Sequence, residues 1–385
     1  MQSSFALKGA TIYTEQGPKT HTNLNFIGEV IESIDTDCSA DEVLTLPSSW
    51  HVIPGMIDAH IHGAANADTM DATPKALQTI SKALAKEGVT GFLPTTITAN
   101  NKDIEKALMN VKEVMEKHLD TGAQILGVNL EGPFLSPEKA GAQDVTNLQL
   151  PQTDLLQRWQ TLSGYAIKIV TVAPELPGAM SFIQYLRSQK IIPSLGHSNA
   201  SYELTNEAIQ AGITQATHLF NAMHRVHHRE PGNVVALLLN HQVMCEVIAD
   251  GIHLHPAILK LILTAKTTDR IILITDAIRA KQLPDGEYTL GTEKVIVKNE
   301  SSRFVDGTLA GTVLRMDQAM RNMMKFTGSS LNDICKMASE NPAKQLQIFD
   351  RKGSLSVGKD ADIVVLDDQL KVQMTFVKGK MVYKS

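Results

Sequence analysis

Residues 53–64 read IPGMIDAHIHGA. An apolar run closes on two histidines, His60 and His62, with one isoleucine between them. Side chains at i and i+2 of a strand share a face. Read as a strand, the segment projects both imidazoles from one place, which suits a metal ion better than an apolar core. A pair of solvated histidines is the plainer reading of the same three residues. The choice turns on whether the chain repeats this pattern of an apolar strand with a polar residue at its end.

It does. Eight strand-like runs occur in order: MIDAHIH, GFLPTTI, ILGVNLEG, IKIVTVAPE, IIPSLGHS, QATHLF, CEVIADG and RIILITDA. Most are nearly continuous apolar runs, as expected of parallel strands covered by helices. Amphipathic stretches separate them. In one, Thr73 is placed to cap, Pro74 suits the first helical position, Leu77, Ile80 and Leu84 share a face, and Gly88 follows as a stop. The pattern predicts an α/β protein built on a (β/α)8 TIM-like barrel, with a doubly wound sheet as the alternative.

The flanks differ. FALKGATIY and LNFIGEVIESID at the start, and DADIVVLD and VQMTFVKGKMVY at the end, read as short strands and turns, with Lys378-Gly379-Lys380 suited to a hairpin. Neither flank is long enough to bury a core alone. The expectation is therefore a small β-sandwich domain formed by the N- and C-terminal segments, residues 1–52 and 351–385, around a catalytic barrel at 53–350. PDGEYTLGTEKVIVKNESSRF, near 284–305, is expected as a β-hairpin inserted after the eighth strand.

Composition narrows the function classes. The 385 residues are 43% hydrophobic and 20% charged with a net charge of −5, so no nucleic-acid footprint is expected. No apolar run reaches the length of a membrane span. The opening MQSSFALKGATIY lacks a basic segment followed by an apolar one, so no secretory leader is expected. Cys38, Cys245 and Cys335 are scattered and odd in number, which fits reduced thiols and a cytoplasmic setting and argues against a cysteine-built zinc site.

In barrels of this kind chemistry gathers at the C-terminal ends of the strands. His60 and His62 close the first run, Glu131 the third and His197 the fifth; His218 lies on the sixth, His253 follows the seventh, and Asp276 closes the eighth. Imidazoles and carboxylates are ligands for zinc, iron or manganese. A divalent metal lowers the pKa of water, and a neighbouring carboxylate acts as general base. Asp276 suits that role; a helix cap after the strand is its structural alternative.

Taken as a set, PGMIDAHIHG, NLEGPF, LGHS, THLFNAM, HREPG, DGIHLHP, TDA and DGTLAG resemble the N-acetylglucosamine-6-phosphate deacetylases of the amidohydrolase superfamily. The resemblance runs from about residue 50 to 345. It implies Glu131, His197 and His218 as principal metal ligands, His60 and His62 as a pair able to hold a second ion, and Asp276 as the acid/base. It further implies Ala142, Gln143, Asn221, Ala222, His253, Leu309, Ala310 and Gly311 as substrate-binding residues. Arg229 matches a phosphate-binding arginine that in the family serves the neighbouring subunit; a surface arginine paired with Glu230 is the other reading. The implied cofactor is one or two divalent ions per subunit, zinc or iron, the implied partner a phosphorylated amino sugar, and the implied assembly a homodimer. The rival readings are an amidohydrolase of another N-acyl amino sugar, a cyclic-amidine deaminase, and a non-catalytic binding homologue.

Overall fold

The computed structural model describes residues 4–35, 40–119 and 121–385; Cys38 lies outside them. Eight successive parallel steps form the centre: Met56–Ile61, Val89–Thr96, Gln124–Ile125 with Val128–Leu130, Ile167–Val172, Ile192–Leu195, Gln215–Ala216, Met244–Ile248 and Ile271–Ile274. Each pairs in parallel with the next in sequence. The ring closes where these strands end. Asp276 N donates to His60 O at 2.9 Å, and His62 N donates to Ala277 O at 2.9 Å.

A helix follows every strand, from Pro74–Ala85 after the first to Met316–Thr327 after the eighth. The first shows why. The Thr73 side chain accepts from Ala76 N, Pro74 occupies the first turn where no amide is needed, and Leu77, Ile80 and Leu84 are buried on one face. Each such side chain contributes roughly 1.5–3 kcal/mol when fully buried. Gly88, at φ +78°, then turns the chain into the second strand. Every residue of Met56–Ile61 and Val89–Thr96 is buried, as a strand sealed on both faces requires.

Strands from both ends of the chain share one sheet. Its order is Lys380–Lys384, Val372–Val377, Ile363–Leu366, His51–Pro54, Thr11–Thr14, Gly17–Lys19. A four-stranded sheet of Val30–Asp35, Asn23–Ile27, Ser4–Lys8 and Glu42–Thr45 accompanies it. Leu7, Leu24, Phe26, Val52, Ile363 and Phe376 belong to one buried cluster, with the Phe26 and Phe376 rings 5.5 Å apart. Lys378 and Gly379, both at positive φ, turn the last hairpin.

The insertion differs from the expected hairpin. It has three antiparallel strands, Gly286–Leu290, Glu293–Lys298 and Ser301–Phe304. Asn299 and Glu300 both adopt positive φ and form a second two-residue turn, which adds a third strand to the two of a hairpin. This small sheet packs beside the barrel mouth through Leu290, Val295 and Val297 against Ile97, Ile278 and Ala310.

Candidate active site

The polar residues at the strand ends converge. Glu131 follows Val128–Leu130, and Gly132 turns the chain sharply away from it at φ +90°. A Cβ on Gly132 would lie 2.1 Å from Thr98 Oγ1, so only glycine fits there. His197, His218 and Asp276 leave their strands at φ +46°, +30° and +49°. Non-glycine residues in the left-handed region cost about 1–3 kcal/mol each, and such strain concentrates at functional sites.

Two groups of donors result: His60, His62 and Asp276; and Glu131, His197 and His218. Within each group the ligand atoms lie within 4.8 Å of one another. Glu131 faces both groups. Its Oε1 is 3.1 Å from His197 Nε2 and 3.0 Å from His218 Nε2, and its Oε2 is 3.2 Å from His62 Nε2 and 3.5 Å from His60 Nε2. Asp276 Oδ1 stands 3.2 Å from His62 Nε2 and 3.4 Å from His60 Nε2.

The far sides of the rings fix which nitrogen faces in. His197 Nδ1 bonds to Lys139 O at 2.9 Å, His62 Nδ1 to Thr95 O at 3.3 Å, and His60 Nδ1 to Glu246 Oε2 at 2.9 Å. Each Nδ1 therefore carries the hydrogen and each Nε2 offers a lone pair. The Nε2 atoms of His197 and His218 are only 3.1 Å apart. Two lone pairs so close repel unless a proton or a cation lies between them. His60 Nε2 is buried with no hydrogen-bond partner at all.

Electrostatics agree. Burial opposes charge on His60, but Glu131, Glu246 and Asp276 outweigh it and raise its pKa well above the usual imidazole range. Burial likewise opposes charge on His62, yet Asp276 and Glu131 carry it up to about 10. Burial works to raise Glu131 and Asp276, but the surrounding histidines hold both below the usual carboxylate range. The site demands positive charge. Four inward imidazole nitrogens with carboxylate oxygens fit a divalent cation of the zinc, iron or manganese type.

A cavity of about 380 Å³ opens above these groups. Its wall includes His62, Glu131, His197, His218, Asp276, Ala142, Gln143, Asn221, Ala222, His253, Leu309 and Gly311. Gln143 is pinned between Thr98 N and Glu131 Oε2, at 2.8 and 3.0 Å. His253 is held by Asp250, 2.6 Å from its Nδ1.

Two of the expected residues fall elsewhere. Ala310 is fully buried in the insert's apolar cluster and does not line the cavity; its N–H donates to Ser302 O at 3.1 Å, which holds it against the insert. Arg229 lies in an exposed loop outside this cavity, with Nη1 2.8 Å from His228 Nε2. Its expected alternative partner, Glu230, makes no ion pair with it among the described residues. Arg303 and Thr308, which line the cavity, were not anticipated. Arg303 is the one lysine or arginine in the described lining; its Nε donates to Ser301 Oγ and its Nη1 to Gly307 O. Glu246 was also missed, although a lone carboxylate inside the apolar run MCEVI is a legible anomaly.

Residues 51–382 match the model of the Amidohydrolase family. The chain belongs to the amidohydrolase family. Among its relatives, the N-acetylglucosamine-6-phosphate deacetylase of Bacillus subtilis is 42% identical over 390 residues, covering 100% of this chain and 98% of the relative. The N-acetylgalactosamine-6-phosphate deacetylase of Escherichia coli O157:H7 is 36% identical, covering 97% and 98%. A Mycobacterium smegmatis N-acetyl-D-glucosamine-6-phosphate deacetylase mutant, solved in complex with N-acetyl-D-glucosamine-6-phosphate, superposes with a TM-score of 0.92 at 29% identity, covering 100% of both chains. No helix of the described residues of this amidohydrolase is long and apolar enough to cross a membrane.

Proposed function

We propose that this amidohydrolase cleaves the acetamide of N-acetylglucosamine 6-phosphate, giving glucosamine 6-phosphate and acetate. One observation carries the reading. Asp276 stands beside His60 and His62, and Glu131 joins them to His197 and His218, at the floor of a cavity whose wall also presents His253, Asn221 and Arg303. The chain-length similarity to deacetylases of this substrate supports it.

The Asp276 carboxylate takes a proton from water as the water oxygen bonds to the acetyl carbon. It returns that proton to the nitrogen as the C–N bond breaks, so the amine leaves neutral. Glu131, His197 and His218 would hold one divalent cation, and His60, His62 and Asp276 would hold a second where two bind; bound there, the metal would supply Lewis acidity, lowering the pKa of water and polarising the carbonyl. Gln143, fixed at both ends, positions Glu131 and presents its side chain beside the acyl group. His253, with its Nδ1 hydrogen on Asp250, offers Nε2 as an acceptor to a sugar hydroxyl. Ala142, Asn221, Ala222, Leu309 and Gly311 shape the sugar pocket, and Ala310 supports it from beneath.

The 6-phosphate is a dianion and calls for guanidinium donors. Arg303 provides one within the chain. Arg229, exposed beyond its own cavity, provides another to a second copy, which makes the working unit a homodimer. Zinc or iron, one or two per subunit, is the metal, and the cytoplasm, where Cys245 and Cys335 stay reduced, is the setting.

The test is a substrate panel on metal-quantified protein: N-acetylglucosamine and N-acetylgalactosamine, each with and without the 6-phosphate, followed by acetate and ammonia release. Acetate from N-acetylglucosamine 6-phosphate well above the others supports the reading. Preference for the galacto epimer moves it to the substrate of the Escherichia coli relative. Ammonia without acetate, or no product at all, overturns it.

A further inference from the structure

Glu246 has no part in the chemistry above, yet it is a fully enclosed carboxylate beside it. It sits in the middle of the seventh barrel strand, Met244–Ile248, with 0% exposure. Its Oε2 accepts from His60 Nδ1 at 2.9 Å and from the backbone N–H of His218 at 3.1 Å. Its Oε1 accepts from Gln215 Nε2 at 2.7 Å. One carboxylate thus grips the ring of one donor group and the main chain of the other. No lysine or arginine forms an ion pair with it among the described residues, and its ion-pair contact is His60 itself. Burying a carboxylate with no lysine or arginine beside it is costly. A neutral glutamine would tie the same strands together without that cost.

We infer that Glu246 is a positioning residue whose negative charge, and not only its hydrogen bonds, sets His60 up as a ligand. By accepting the Nδ1 hydrogen it fixes the tautomer that leaves Nε2 free, and Nε2 is the buried atom left without a partner. An anion on the far side of the ring also raises the basicity of the donor nitrogen. The bond to His218 N holds the sixth strand's end, where φ is +30°, in register with the first. The inference rests on the reading that these histidines hold a cation.

Glu246→Gln isolates the charge. The new amide oxygen accepts from His60 and His218 as before. The new NH2 meets Gln215, whose Oε1 has no partner and which turns over to accept it. The variant should therefore keep the fold, as an unfolding curve of the metal-stripped protein will show. Zinc affinity is measured by chelator competition on stripped, full-length wild type, Glu246→Gln, His62→Ala and the double variant. The expected result is a roughly 10- to 100-fold loss of affinity at the weaker site in Glu246→Gln, and little further loss when His62→Ala has already removed that group.

Wild-type affinity in Glu246→Gln, or an equal loss in the His62→Ala background, overturns the inference and leaves the cation reading standing. Wild-type protein that takes up no zinc removes the cation reading itself. Should Glu246→Gln fail to fold, Glu246→Asp decides. It keeps the charge beside His60 while lengthening the hydrogen bond, so near-wild-type affinity at the same site supports the inference and a loss as large as the roughly 10- to 100-fold expected on removing the charge overturns it.

Discussion

Two of the buried charge clusters among the described residues are built on opposite plans. Near the C-terminal sheet, Lys352 is 1% exposed, with Nζ 2.6 Å from Asp362 Oδ2 and 2.8 Å from Asp360 Oδ2, and Arg351 reaches Asp360 at 3.2 Å. Two cations meet two anions, and Asp362 Oδ1 is satisfied by Lys378 N. That cluster is closed. At the barrel floor, Glu131, Glu246 and Asp276 face four imidazoles with no lysine or arginine among them. With neutral rings, the floor carries a negative surplus, with the donor atoms of both groups crowded on one another. A structural ion cluster balances itself; a functional one is left open for what arrives.

The sharpest way to break this contrast is Asp276→Asn. It should preserve cation uptake while turnover falls by about 10²- to 10⁴-fold. Near-normal kcat with N-acetylglucosamine 6-phosphate would deny Asp276 its role as base. The mirror experiment is Lys352→Met. It strands Asp362 in the interior, leaves Asp360 to Arg351 alone, and should lower stability by about 3–5 kcal/mol in urea unfolding. The folded fraction should keep wild-type activity. A stable Lys352→Met protein would mean that the closed cluster is not holding the fold.

Cation removal probes the open cluster alone. A ligand at 100-fold above its Kd contributes about 2.7 kcal/mol to stability, so chelation should lower the unfolding midpoint of wild type and leave that of a His218→Ala variant less changed. The effect should depend on pH. In stripped protein His62 titrates at about 10, raised from the ordinary 6.5 of an unfolded chain. Its stabilising contribution is complete below pH 6.5 and is lost as pH rises toward 10. A bound cation replaces the proton, so the stability gap between loaded and stripped protein should widen across that window. A constant gap would contradict the assignment.

The smallest effect concerns the rim. Arg303→Ala should cost the phosphorylated sugar a charge-assisted contact of about 1.5–3 kcal/mol, read as a fall in kcat/KM of one to two orders of magnitude. Unphosphorylated N-acetylglucosamine should lose far less. Equal losses for both would move Arg303 from phosphate recognition to shaping the insert.

Much of this was legible in the chain. Continuous apolar runs announced the parallel strands, because a strand sealed on both faces has no polar alternation. The histidines and carboxylates at their ends stood out against that background, so residues 60, 62, 131, 197, 218 and 276 were legible as candidates, while their division into two groups came from the family resemblance and Asp276, read as the acid/base, also belongs to the His60 and His62 group. What escaped was set by contacts distant in sequence. Glu246 lies mid-strand, and only the closed ring brings it to His60, 186 residues away. Arg303 faces the cavity because the insert has three strands and not two, a fact resting on two positive-φ residues, Asn299 and Glu300, neither of them glycine. Arg229 carries the right chemistry, but its sequence neighbours could not say that its loop stands apart from its own cavity.

The sheet shared by both ends has a consequence for how the protein is born. His51–Pro54 pairs with Thr11–Thr14 on one side and Ile363–Leu366 on the other. At ordinary rates of synthesis, on the order of tens of seconds separate the emergence of His51 from that of Ile363. Throughout that interval the early strands present an unpaired edge, an invitation to stray association. The nascent barrel, growing between them, is what must carry the two halves to their meeting.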